Sequence, residues 1–242
     1  MDSVWTEQHP LWIVGHRGAP RRARENTLDS FDFAESLGAD AIELDLRQTR
    51  DLDLVVFHDE QISIGTELHP IRNMASLDVR DLLLDSPLGE YRIPTFEQVL
   101  ARYGTSLRYV VEVKTSASTD RPRAAGRVVE LLGAFGCTSR ALVASFDPEI
   151  LRRVRERQPE IALSFLIDRP ISISEGEIPP CEAIGPRADL VNERFIEQLT
   201  ASGRSLHPWT VDSPEEIDRL ASLGVASITT NDCELARRVL SG

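Results

Sequence analysis

An α/β fold, specifically a single (β/α)8 (TIM) barrel, is predicted for this chain. Three observations carry that reading. Short apolar runs alternate with helix-like runs from end to end, eight of the runs are barrel-strand candidates, and the length of 242 residues matches the roughly 250 typical of the architecture. An open doubly wound sheet is the runner-up, but the G-x-G-x-x-G turn expected after its first strand is missing.

The first strand is Leu11-Trp12-Ile13-Val14, stopped by Gly15. Residues 27–38 carry Leu28, Phe31, Ala34 and Leu37 at helical spacing, with Asn26 or Thr27 as N-cap and Gly38 at the C-terminus. The second strand is Ala41 to Leu46, and a turn at 50–53 lets Leu54-Val55-Val56-Phe57 pair back as a hairpin arm. Residues 60–92 read as an inserted loop region, with a short helix near 79–84, and as a candidate lid. Residues 95–103 read as a helix. Alternation then resumes with strands at 109–113, 141–144, 161–167, 188–191, 206–211 and 225–230. Helices fall at 122–135, 148–157, 193–201, 214–223 and 234–240, and residues 168–187 read as mostly loop because they hold four prolines and two glycines. Residues 1–242 are therefore expected to form one domain.

The composition, 41% hydrophobic and 27% charged, is that of a globular protein, and no apolar run is long enough to span a bilayer. Stable membrane anchoring is not expected. The first residues show no basic n-region or apolar h-region, so a cleaved signal peptide is not expected either. Cys137, Cys181 and Cys233 are odd in number and far apart, which argues against disulfides or zinc and for a reducing cytoplasm. A net charge of −12 lacks the basic footprint of a nucleic-acid binder. The single lysine, Lys114, stands against arginine at every other basic position and marks a place that wants a compact ammonium.

In a barrel, chemistry gathers at the C-terminal ends of the strands. Reading polar residues there gives His16 and Arg17 after the first strand, Glu43 and Asp45 on the second, and His58 after the hairpin arm. Glu112 and Lys114 follow on the third strand, and Trp209 on the seventh. Residues two apart on a strand share a face, so Glu43 with Asp45 and Glu112 with Lys114 converge. Three carboxylates of this kind suit a hard divalent cation, Mg²⁺ or Ca²⁺, better than zinc. His16 and His58 are candidates for general acid and base. Arg17 and Lys114 beside a cation make a pocket for a phosphoryl group, and Trp209 offers a flat wall. His207 reads as barrel packing, and His9, His69 and the cysteines form no constellation.

These residues lie in an ordered series of short motifs: His16-Arg17-Gly18, Glu25-Asn26-Thr27, Ile42-Glu43-Leu44-Asp45, Val55-Val56-Phe57-His58-Asp59, Ile93-Pro94-Thr95-Phe96, Glu112-Val113-Lys114, Ser145-Phe146-Asp147 and Trp209-Thr210-Val211. In order and spacing the series resembles the glycerophosphodiester phosphodiesterases. The resemblance implies a barrel enzyme that hydrolyses small-molecule glycerophosphodiesters to glycerol 3-phosphate and an alcohol. It implies a divalent cation held at Glu43, Asp45 and Glu112, acid and base at His16 and His58, and phosphate contacts from Arg17 and Lys114. Lysophospholipase D-type cleavage of acylated substrates is the rival within the class. A non-catalytic phosphate-binding barrel is the rival outside it, favoured only if a histidine or carboxylate were missing. The chain departs from the resembled pattern at Arg24, usually Pro, and at Ile64-Gly65-Thr66, usually Arg-Thr-Thr. It also has Asp212 where Asn is usual and Asn231 where Asp is usual.

Overall fold

A computed structural model describes residues 3–5, 7, 9–170, 178–200 and 202–241. Residues 171–177, within the segment expected to be mostly loop, lie outside the described residues. The elements run in the order β1 (Trp12–Gly15), α1 (Leu28–Ser36), β2 (Ala41–Gln48), β3 (Leu54–Val56), β4 (Gln61–Ile64), β5 (Glu67–Pro70), α2 (Ser76–Asp81), β6 (Leu84–Ser86), β7 (Gly89–Tyr91), α3 (Phe96–Tyr103) and β8 (Tyr109–Val113). They continue with α4 (Arg121–Ala134), β9 (Ala141–Ser145), α5 (Pro148–Arg157), β10 (Ala162–Ile167), β11 (Ala183–Pro186), α6 (Glu193–Thr200), β12 (Ser205–Leu206), α7 (Pro214–Ser222), β13 (Ser227–Thr230) and α8 (Cys233–Leu240).

Eight of these strands pair in parallel in the order β12-β11-β10-β9-β8-β2-β1-β13, and β3 turns back antiparallel on β2. Backbone hydrogen bonds from Ala226 to Leu206 and from Thr229 to Pro208 bring the two ends of that path together. The result is the (β/α)8 barrel expected from the alternation. Its interior is set by parity. Trp12, Val14, Ala41, Val110, Leu142, Ala144, Ala162, Leu166 and Ala183 pack together inside the ring, and Trp5 from the N-terminal segment joins them. The odd or even neighbours that point the other way, such as Ile13, Ile42, Leu44, Tyr109, Val111 and Val143, pack against the helices. Small alanines leave room on the inside for the two tryptophans, which meet edge to face at 5.0 Å.

Helix starts lie on the same rim as the strand ends, and the sequence specifies them. Thr27 accepts from Ser30 N, Thr95 and Gln98 form a capping box, and Asp120, Asp147, Ser213 and Asp232 each cap the helix that follows. Proline in the first turn of α4, α5 and α7 adds a preset φ. Each cap contributes about 1 kcal/mol and fixes where the chain leaves the strand end.

Several expectations are corrected. The sixth strand is Ala183–Pro186, inside the segment read as loop, and residues 188–190 form a 3-10 turn instead of a strand. Gly185 and Pro186, read as breakers, are tolerated for physical reasons. A Cβ at Gly185 would come within 2.5 Å of Leu166 Cδ2, and Pro186 ends its strand. The seventh strand is only Ser205–Leu206, with Trp209 beyond it in an isolated bridge to Arg187. The insertion is not an irregular loop. Two small hairpins, β4-β5 and β6-β7, with α2 at 76–81 instead of 79–84, enclose a core of Val55, Phe57, Ile62, Ile71, Val79, Leu84 and Ile93.

Candidate active site

Parity along the strands carries polar side chains inward near their C-terminal ends. Ala41 faces the interior, so Glu43 and Asp45 do too. Val110 faces it, so Glu112 and Lys114 follow. Asp45 and Glu112 are register partners across β2 and β8. Oxygens of Glu43, Asp45 and Glu112 lie within 4.8 Å of one another. All three carboxylates are buried, Asp45 to 1% exposure.

Two cations answer them. Lys114 Nζ lies 2.5 Å from Glu112 Oε1 and 3.1 Å from Asp45 Oδ1. Arg17 Nε lies 3.1 Å from Asp45 Oδ2, Arg17 Nη1 donates to Glu25 Oε1 at 3.1 Å, and the Arg17 backbone N–H donates to Glu43 Oε2 at 2.8 Å. Arg17 reaches this position with φ of 55°, a left-handed conformation that costs a side-chain-bearing residue about 1 kcal/mol or more. The turn closes because Gly18, at φ of 90°, packs where a Cβ would come within 2.4 Å of Ser30 Oγ. That contact explains the glycine of the His-Arg-Gly motif.

The charge balance follows from these distances. Burial, then Asp45 and Glu112, push the Glu43 carboxyl well above its usual range. Burial raises Glu112 against the pull of Lys114. Burial works against ionisation of Asp45 as well, but Lys114, Arg17 and the Asn26 hydrogen bond hold it below the usual range. Two cations against three buried carboxylates leave a site that favours further positive charge. Asp45 Oδ1 and Glu112 Oε1 share the single Lys114 ammonium and have no other donor. An all-oxygen donor set, three carboxylates with oxygens within 4.8 Å of one another and only two cations to balance them, fits a divalent cation.

The two histidines flank this cluster. His16 Nδ1 sits 2.8 Å from Asn231 Oδ1, and burial followed by Arg17 lowers its pKa in spite of that bond. His58 Nδ1 sits 2.8 Å from Asp59 Oδ1, and the His58 carbonyl accepts from both Nε and Nη2 of Arg47 at 2.9 and 2.6 Å. His16, Arg17, Glu43, His58, Glu112 and Lys114 line one cavity of about 230 Å³. Its apolar wall includes Leu166, Phe146 and Trp209. The last two meet edge to face at 5.6 Å, and Trp209 Nε1 donates to the Gly185 carbonyl. Every residue singled out for chemistry from the sequence lines this cavity except Asp45, which lies behind it against Arg17, Lys114 and Asn26.

His207 lines the same cavity and is held by two hydroxyls, Ser205 and Ser227, at 2.9 and 2.7 Å. Burial lowers its pKa to about 3, which agrees with a packing role. His9 stacks on Trp12, and His69 lies in the insertion hairpin, both apart from the cavity. The cysteines are free and buried. Three supporting residues were missed. Asn26 donates Nδ2 to Asp45 Oδ2 at 2.8 Å and accepts the Asp45 N–H at 3.2 Å; Asn231 and Asp212 hold His16 from behind. Asn26 had a signal in Glu25-Asn26-Thr27, but residue type alone does not name its partner.

Comparison with known proteins shows the family. The model of the glycerophosphoryl diester phosphodiesterase family matches residues 16–235. A glycerophosphodiester phosphodiesterase of Bacillus subtilis is 27% identical over 96% of this chain and 87% of its own length. One from Caldanaerobacter subterraneus is 29% identical over 92% and 94%. Among solved structures, the fold superposes on a glycerophosphodiester phosphodiesterase from Thermotoga maritima with a TM-score of 0.77, at 22% identity over 96% of this chain and all of that one. It also superposes on an Oleispira antarctica phosphodiesterase in complex with the product sn-glycerol-3-phosphate, with a TM-score of 0.81, at 19% identity over 96% and 97%. The chain belongs to the glycerophosphoryl diester phosphodiesterase family, and so to the phosphoric diester hydrolases.

Proposed function

We propose that this chain, acting as one barrel domain, hydrolyses small glycerophosphodiesters to glycerol 3-phosphate and an alcohol, with His16 as general base and His58 as general acid. One observation carries the reading. Two imidazoles, Arg17, Lys114 and the buried carboxylates converge on a single cavity at the strand ends. A divalent cation at Glu43, Asp45 and Glu112, Mg²⁺ or Ca²⁺ by the hardness of its ligands, supplies charge neutralisation and polarisation of the phosphoryl oxygens.

The residues of the chain do the rest. Arg17 and Lys114 offset the charge that builds on the non-bridging oxygens. His16 takes a proton from the nucleophile as its oxygen bonds to phosphorus; water gives glycerol 3-phosphate directly, whereas the substrate's own glycerol 2-hydroxyl gives a cyclic phosphate that a water molecule then opens to glycerol 3-phosphate. The bond from phosphorus to the leaving oxygen then breaks, and His58 delivers a proton to the departing alkoxide. Phe146 and Trp209 form the wall against which the substrate lies.

A cavity of about 230 Å³ supports small deacylated diesters over lysophospholipids, whose acyl chain needs a longer channel. Three free buried cysteines support a reducing location, and no helix among the described residues is long and apolar enough to cross a membrane. The test is turnover of glycerophosphocholine with Mg²⁺, Ca²⁺ and Mn²⁺ and after EDTA, beside a lysophospholipid substrate. Release of glycerol 3-phosphate that stops with EDTA is expected. Undiminished turnover after exhaustive chelation, or preference for the acylated substrate, would sink the corresponding part of the reading.

A further inference from the structure

One side of His16 is held by a chain of contacts that the proposed proton transfers leave unexplained. His16 Nδ1 lies 2.8 Å from Asn231 Oδ1. Behind it, Asn231 Nδ2 donates to Asp212 Oδ2 at 2.6 Å, the Asn231 backbone N–H to Asp212 Oδ1 at 2.8 Å, and Thr230 Oγ1 to the same Oδ1 at 3.0 Å. A carboxylate with three donors on it acts as an acceptor, so it fixes which way the Asn231 amide points: NH2 toward Asp212, oxygen toward His16. An amide oxygen only accepts, so the ring nitrogen facing it must carry the hydrogen.

We infer that Asp212 and Asn231 are positioning residues that lock His16 in its Nδ1–H tautomer and leave Nε2 as the lone pair that receives the proton. This rests on the assignment of His16 as the general base. The contact to the ring is a neutral amide and brings no charge of its own. The charged groups near His16 are Arg17, Asp45 and Glu25. Burial and Arg17 together favour the neutral ring, the only form in which a tautomer matters.

The test begins with the tautomer of the unaltered chain. Long-range ¹H–¹⁵N correlation spectra of the full chain, with the His16 resonances assigned by loss in His16→Gln, should show Nδ1 protonated and Nε2 bare at a pH where the ring is neutral. In Asp212→Asn, the new amide keeps an oxygen for Thr230 and the Asn231 N–H but turns an NH2 toward Asn231. Asn231 then rotates, presents its own NH2 to His16, and the hydrogen should move to Nε2. The expected cost is at least about tenfold in kcat with KM within about twofold. The exchange Asp212→Asn with Asn231→Asp again gives His16 an acceptor, should return the Nδ1–H signature, and should bring kcat to within about threefold of the starting enzyme. An Nε2–H tautomer in the unaltered chain, or an unchanged tautomer and kcat in Asp212→Asn, overturns the proposal. Undiminished turnover of His16→Ala overturns the base assignment instead, and leaves the tautomer measurement standing on its own.

Discussion

The two histidines of the cavity are held in opposite ways. His16 continues β1, a strand locked between β2 and β13, and its ring is enclosed and tethered to a neutral amide that is itself pinned by Asp212. His58 follows β3, a three-residue strand that pairs antiparallel with the end of β2, and its side chain is 37% exposed. Its tether, Asp59, is 67% exposed, and the His58 backbone is anchored instead by the two Arg47 donors on its carbonyl. One ring is oriented through its side chain from inside the barrel; the other is oriented through its backbone from the rim. A base that must be neutral gains from enclosure. An acid that must regain a proton each cycle gains from contact with solvent. The structural difference thus supports the assignment of roles.

The largest expected effect breaks that comparison open. His16→Ala and His58→Ala should each lower kcat on glycerophosphocholine by about 10²- to 10⁴-fold, the usual worth of a positioned acid or base. A diester with a p-nitrophenolate leaving group needs no acid. On that substrate His58→Ala should recover most of its rate and His16→Ala should not. Recovery by the reverse variant would exchange the two roles.

Next comes the support behind the carboxylates. Asn26 holds Asp45 by both a side-chain donor and an acceptor, at φ of 57°, where asparagine is better tolerated than most residues. Asn26→Ala should weaken divalent-cation affinity by about 10- to 100-fold, as loss of an orienting partner usually does, and so raise the cation concentration needed for half-maximal rate. An unchanged cation requirement would remove Asn26 from the site.

How much of this was legible depends on the physical rule that governs each residue. Strand parity made Glu43, Asp45, Glu112, Lys114 and His16 readable, because a two-residue period fixes the face without knowledge of any partner. The sixth strand was missed because Gly185 and Pro186 read as breakers, although Gly185 is required by the approach of Leu166 and Pro186 sits at a strand end. The hairpins of the insertion were missed because their strands are only three or four residues long and nearly all exposed or half-buried, which leaves no periodic signal. The Asn26–Asp45 and Asn231–Asp212 pairs each span 19 residues. Such contacts form only when neighbouring strand-and-loop units pack side by side, and no local pattern encodes them.

A smaller effect is expected on the exposed side. Asp59→Ala removes only a solvent-exposed tether, and exposed ion pairs contribute about 0–1 kcal/mol. It should cost no more than about threefold in kcat, less than the loss expected from Asp212→Asn on the enclosed side. A drop as large as that of His58→Ala would show that the exposed carboxylate, and not the Arg47 anchor, orients the ring.

The last prediction concerns a third ring in the same cavity and leaves turnover aside. His207 is enclosed like His16 but held by hydroxyls alone, and burial lowers its pKa to about 3. The unfolded chain binds this proton below its ordinary pKa of about 6.5, while the folded chain refuses it until about pH 3. In that window the unfolded state therefore holds more protons, and stability falls as pH falls. Between pH 7 and pH 5 this one ring should remove about 2 kcal/mol of stability. His207→Gln cannot titrate, so urea denaturation of the variant at the two pH values should show a smaller loss by that amount. Equal losses in both proteins would mean that His207 accepts a proton without unfolding, and that enclosure by itself does not keep a ring of this cavity neutral. The reading of His16 as a neutral base would then rest on Arg17 and on the Asn231 tether rather than on burial.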